Sequence, residues 1–83
     1  MSFREEVIEL LIQKAAAMFG KDPATLSGET RFKEDLGCKS ADIVKFTLAL
    51  EAEYDVEVPF MAFNRNETFA AAADYLAEMT GFE

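Results

Sequence analysis

Apolar residues recur along this chain with a helical period. Between Ser2 and Gly20, Val7, Leu11, Ala15 and Met18 fall on one stripe, and Ile8, Ile12 and Phe19 widen it. The spacing predicts a helix over residues 3–19. Ser2, with Glu5 three positions on, forms a capping box, and Gly20 supplies a left-handed stop. Over residues 40–54, Ile43, Phe46, Thr47, Leu50 and Tyr54 repeat the pattern, with Val44 and Leu48 beside that face. Asp42, Lys45, Glu51 and Glu53 mark the solvent side. A last helix is predicted from Thr68 to Met79, its stripe formed by Phe69, Ala72, Ala73 and Leu76. Thr68 or Asn66 is its cap and Gly81 its end.

The intervals carry their own signals. Residues 55–59 alternate apolar and charged, but Pro59 forbids helix and no second strand is at hand, so they read as an extended linker. Residues 60–66 suit one short helix. Residues 20–39 make a long first loop in which Asp22-Pro23 opens a single helical turn. Leu26, Phe32 and Leu36 are spaced as anchors that pin this loop to the core. Loops of this length in a compact domain are commonly functional. The expected fold is all-α: one domain over residues 1–83, a small bundle of three longer helices and one short helix.

Charge narrows the partners. Sixteen acidic residues against eight basic ones leave a net charge of −8. Such a surface repels a phosphate backbone and an anionic bilayer, so neither nucleic acid nor membrane insertion is expected. Basic protein patches are the natural complement, although acidity also serves simply to keep a small domain soluble. Residues 7–12, VIELLI, are interrupted by Glu9 and follow Arg4, Glu5 and Glu6, which suits neither a signal-peptide core nor a membrane span. A cytoplasmic monomer is expected.

Chemistry within the chain is sparse. With no histidine, the usual general base and the commonest metal ligand are both missing. No EF-hand run occurs, so no metal is expected. Cys38 is the single cysteine and excludes an internal disulfide. It reads as a small loop residue, or as a thiol for a mixed disulfide with a partner. An enzyme is not expected, because no acid–base pair is supplied.

Ser40 opens the second helix, where a serine ordinarily serves as N-cap. The same place suits a second role. A hydroxyl at a helix start is reachable from solvent, and the free N–H groups and dipole there favour an anionic phosphodiester. Gly37 lets the backbone turn sharply just before it.

The segment Asp35-Leu36-Gly37-x-x-Ser40 resembles the D-L-G-x-D-S-L motif of the acyl carrier protein family, with Phe32 at that family's upstream aromatic position. Leu48 to Pro59 resembles its A-L-E-x-E-F-x-x-x-I-P stretch, and Ala72-Ala73-Asp74-Tyr75-Leu76 resembles its last helix. The resemblance spans nearly the whole chain. It implies that a phosphopantetheinyl transferase attaches 4′-phosphopantetheine from coenzyme A to Ser40, and that the arm's thiol carries an acyl group as a thioester. It also implies work with acyl ligases, ketosynthases or acyltransferases that bear basic docking patches, in fatty-acid, polyketide or specialised lipid biosynthesis. The docking residues implied are Asp35, Lys39, Ala41, Asp42, Lys45, Glu51, Glu53 and Glu57. An interior pocket lined by Ile43, Phe46, Leu50, Phe63 and Ala72 is the signature expected if the acyl chain is sheltered.

The chain departs from the family beside the serine. Lys39 stands where the family has Asp, Ala41 where it has Leu, and Lys45 where it keeps an acid. Replacing leucine by alanine removes apolar contact worth on the order of 1 kcal/mol. Lys39 repels a basic enzyme patch or pairs with the phosphodiester. A dedicated partner set is therefore expected, with poor loading by a general transferase. Two classes stay open: a carrier acting through a covalent arm, of acyl or less acidic peptidyl type, and an unmodified interaction protein of carrier fold.

Overall fold

The computed structural model describes residues 1–82. Four helices follow one another: α1 (Phe3–Phe19), α2 (Ser40–Tyr54), α3 (Phe60–Phe63) and α4 (Phe69–Thr80). A single 3-10 turn, Pro23–Thr25, lies in the long first loop. The expected all-α architecture is what the chain adopts, and no strand forms among the described residues.

The helix ends follow from local chemistry. At α1, the Ser2 hydroxyl accepts the Glu5 N–H at 3.1 Å and the Glu5 carboxylate accepts the Ser2 N–H at 2.9 Å. The Ser2 backbone N–H first, and its hydroxyl second, hold the Glu5 carboxyl below its ordinary pKa. Gly20, at φ 64°, closes the helix in the left-handed region. At α4, Thr68 rather than Asn66 is the cap, its hydroxyl accepting the Ala71 N–H at 3.0 Å. Asn66 instead donates to the carbonyls of Ala62 and Phe63, at the end of α3. α3 spans only four residues, shorter than the 60–66 stretch expected.

α1 packs chiefly on α4 and secondarily on α2, while α3 packs on α2. Val7, Leu11, Ala15, Ile43, Phe46, Leu50, Phe63, Phe69, Ala72, Ala73 and Leu76 are buried together. The 3.6-residue stripes therefore converge on one core, whose burial supplies most of the stabilisation.

Residues 20–39 form no long helix, yet they are tightly held. Asp22 caps the 3-10 turn through the Ala24 N–H at 3.0 Å. Beyond it the loop crosses the start of α4. The Gly28 carbonyl accepts the Ala70 N–H at 2.7 Å, and the Thr30 carbonyl accepts the Phe69 N–H at 3.1 Å. In return, the Phe32 N–H donates to the Glu67 carbonyl at 3.0 Å. The loop thus satisfies first-turn N–H groups that α4 itself leaves unpaired. Phe32 is the apolar counterpart. Its ring meets Phe69 at 4.9 Å, Phe46 at 5.3 Å and Phe63 at 5.6 Å between centroids, so one loop residue touches α2, α3 and α4. Leu36 is buried, and Leu26 is half-buried against the core.

Phe32→Ala is expected to cost about 3–5 kcal/mol, a large share of the roughly 5–15 kcal/mol that stabilises a domain. Urea unfolding measures it. A loss below about 1 kcal/mol would mean that the loop is anchored by something other than this ring.

Candidate functional site around Ser40

Two devices deliver Ser40 to the surface. Residues 31–36 form a turn in which the Asp35 carboxylate accepts the Arg31 N–H at 2.8 Å. The Gly37 N–H returns to the Lys33 carbonyl at 2.9 Å, and Gly37 sits at φ 67°, a conformation that glycine adopts without a Cβ clash. Cys38 then drops into the core, its N–H bonded to the Phe32 carbonyl at 3.0 Å. Lys39 and Ser40 emerge exposed immediately after it. The Arg31 bond holds the Asp35 carboxyl below the ordinary carboxylate pKa.

The structure corrects the expectation that Ser40 itself caps α2. Lys39 occupies the cap position, at φ −104° and ψ 174°, and Ser40 is the first helical residue. A lysine side chain has no acceptor to offer. Closure comes from inside the helix, where the Asp42 carboxylate accepts the Lys39 N–H at 2.9 Å. The Ser40 hydroxyl is thereby left without structural work. The chain's other serines are engaged: Ser2 Oγ accepts from Glu5, and Ser27 Oγ accepts the Glu29 N–H at 3.1 Å. Ser40 Oγ has no protein partner among the described residues.

The outer surface of α2 also differs from expectation. Val44 and Leu48 do not flank the core; they are 39% and 57% exposed. At 100° per residue, Leu48 lies nearly opposite the buried Leu50, and Ala41, Val44, Lys45, Leu48 and Ala52 share the outward face. That angular offset was available in the sequence and identifies Val44 and Leu48 as surface residues. Of the acids expected there, Asp42 is half-buried and committed to Lys39. Glu51 is also half-buried, and its carboxylate accepts the Val58 N–H at 2.8 Å, tying the α2–α3 linker to the helix. Glu53 and Glu57 are exposed, as are Asp35, Lys39, Ala41 and Lys45.

Ile43, Phe46, Leu50, Phe63 and Ala72 are fully buried in the shared core. A cleft of about 250 Å³ opens instead between residues 31–34, the start of α2 and residues 64–67. Ile43 is the one member of that set on its wall. Phe32 lines it too, with Arg31, Lys33 and Arg65 as its cations. No three His, Cys, Asp or Glu side chains gather to hold a metal ion among the described residues, and no described helix is long and apolar enough to cross a membrane.

A family model for the phosphopantetheine attachment site matches residues 9–76. Acyl carrier protein 2 of Pseudomonas aeruginosa is 38% identical over 72 residues, which cover 86% of this chain and 91% of that protein. The geometry at Ser40 fits such a group. The hydroxyl is exposed and free of other bonds, the first-turn N–H groups of Ser40 and Ala41 lie beside it, and the Lys39 ammonium is adjacent in sequence.

Two residues away, Cys38 is unsuited to chemistry. Burial first, and the Asp42 charge second, push its thiol up to about 11. A raised pKa disfavours the reactive thiolate. At pH 8 iodoacetamide is expected to alkylate folded protein about 100-fold more slowly than an unhindered thiol, from thiolate fraction alone. Urea should restore the rate. Rapid labelling of the folded protein, followed by mass spectrometry, would contradict this assignment.

Proposed function

The chain belongs to the acyl carrier family, whose group is a covalently attached 4′-phosphopantetheine, and we propose that the attachment atom is Oγ of Ser40. The observation that carries this is the division of work at the start of α2: Asp42 closes the helix, so the Ser40 hydroxyl is exposed and unbonded. The other two serines hold structural hydrogen bonds.

The chain's own contribution is presentation. Acyl carrier proteins are carriers rather than catalysts, and they work with phosphopantetheinyl transferases and biosynthetic enzymes. In loading, the Ser40 oxygen bonds to phosphorus as the pyrophosphate bond of coenzyme A breaks. The hydroxyl proton passes to the transferase, and a nucleotide bisphosphate leaves. The arm supplies a terminal thiol on which an acyl group rides as a thioester. Lys39 and the first-turn N–H groups of α2 favour the phosphodiester charge at that point. Gly37 and the buried Cys38 fix where the backbone surfaces, so the arm starts from a rigid base.

The cargo proposed is an acyl intermediate of fatty-acid, polyketide or specialised lipid biosynthesis, handled in the cytoplasm by a monomer. Acyl ligases, ketosynthases or acyltransferases are the partners. Shelter of the chain among Ile43, Phe46, Leu50, Phe63 and Ala72 requires these side chains to part, because they pack together as they stand. The competing proposal, an unmodified interaction protein of carrier fold, leaves the Ser40 oxygen unused.

Incubation with coenzyme A and a phosphopantetheinyl transferase, read by intact mass, separates the two. One phosphopantetheine per chain is expected on the native protein and none on Ser40→Ala. Loading of Ser40→Ala would move the attachment elsewhere. Failure of the native chain with several transferases would favour the unmodified protein.

A further inference from the structure

The exposed surface of α2 and the residues flanking it carry opposite charges towards the two ends of the helix. At the Ser40 end, Lys39 and Lys45 are exposed, and the ion pairs among the described residues involve only Arg4 and Arg31 as cations. Both lysines are therefore free. The nearby acid, Asp42, is bound to the backbone N–H of Lys39. At the far end, Glu53, Asp55 and Glu57 are exposed, while Glu51 is bound to Val58. Lys39 and Glu53 are separated by roughly 20 Å of helix at 1.5 Å per residue. Lys45 stands on the outward face itself, within an apolar stripe of Ala41, Val44, Leu48 and Ala52, and Glu53 lies about 120° round the helix from Ala41. α3, which packs on α2, adds Met61, 73% exposed.

We infer that this face docks an enzyme whose surface is apolar at its centre, acidic beside the entrance that receives the arm, and basic about 20 Å away. Lys39 and Lys45 are then specificity-determining residues. The inference rests on the carrier reading, since Ser40 must enter the partner's active site. Charge complementarity chooses the occupant. Like charges facing one another across an interface are strongly penalised, and opposite charges accelerate encounter. A partner basic along its whole docking surface gains at Glu53 and Glu57 but meets Lys39 and Lys45 where alignment matters most. A partner with reversed polarity gains at both ends and can bind in only one orientation. The exposed Val44 and Leu48 supply a central apolar contact whose burial adds affinity without regard to charge.

A probe transferase with a basic docking surface tests this, together with a variant of it whose basic residues beside the active-site mouth are changed to Glu. Loading from coenzyme A is followed by intact mass at low and high salt. With the basic probe, Lys45→Glu, which leaves Lys39 beside the phosphodiester, is expected to raise kcat/KM several-fold at low salt, the gain fading as salt screens it. Glu53→Lys, Glu57→Lys should lower it. With the Glu-bearing probe, native protein should load faster than the lysine-reversed one. Unchanged or reduced rates on lysine reversal with the basic probe would overturn the inference and leave the carrier reading standing. If no version of the chain is loaded by either probe, both fall. Sedimentation of the native protein supplies the remaining check. A stable dimer broken by Leu48→Ser would assign the face to a second copy and overturn the proposal.

Discussion

The structure depends on one loop residue meeting three helices. Phe32 has no helix of its own, yet its ring rests on Phe46 of α2, Phe63 of α3 and Phe69 of α4. Its backbone reaches further, with the N–H on the Glu67 carbonyl and the carbonyl receiving the Cys38 N–H. A bundle of this size has little core to spare, and α3 amounts to one turn. Without that ring, α2 and α4 would share no aromatic contact beyond Phe46 and Phe69, 6.2 Å apart. The loop is therefore a packing element that happens to lack a regular backbone.

That constraint propagates to the site in a short chain of causes. Phe32 is fixed against the helices. The turn over residues 31–36 is fixed by Asp35 and ended by Gly37. Cys38 is buried and bonded back to Phe32, so the next two residues must surface where α2 begins. Each link is short-range, and together they leave Ser40 little freedom of position. A flexible arm attached at Ser40, as proposed, would benefit from such a base, because the arm would then explore space while its origin stayed put.

Much of this is legible in the residues. The 3.6 period placed all three longer helices, and Ser2, Gly20, Thr68 and Gly81 ended α1 and α4 by side-chain and backbone rules that need no tertiary information. Phe32 and Leu36 stood out as apolar residues in a polar loop. Two things were less legible, for different reasons. Lys39 displaced Ser40 from the cap because Asp42 can reach back to the Lys39 N–H, and propensity ranks the cap residue without weighing such a return bond. Val44 and Leu48 were drawn towards the core because they are apolar. Their angular position says otherwise, and burial follows geometry where the two disagree.

The same distinction sorts the acids. In the sequence, Asp42, Glu51, Glu53 and Glu57 stand as equal candidates for docking. In the folded chain Asp42 and Glu51 spend their lone pairs on the backbone N–H groups of Lys39 and Val58. A carboxylate accepting such a bond still contributes charge, but its direction is set and its reach is gone. Glu53, Asp55 and Glu57 keep both. The free acidic charge of the helix is thus displaced away from Ser40, while Lys39 and Lys45 in that half stay out of every ion pair among the described residues. Net charge describes how the molecule behaves at a distance. Which partner fits at contact is decided by those few side chains that the fold has left unemployed.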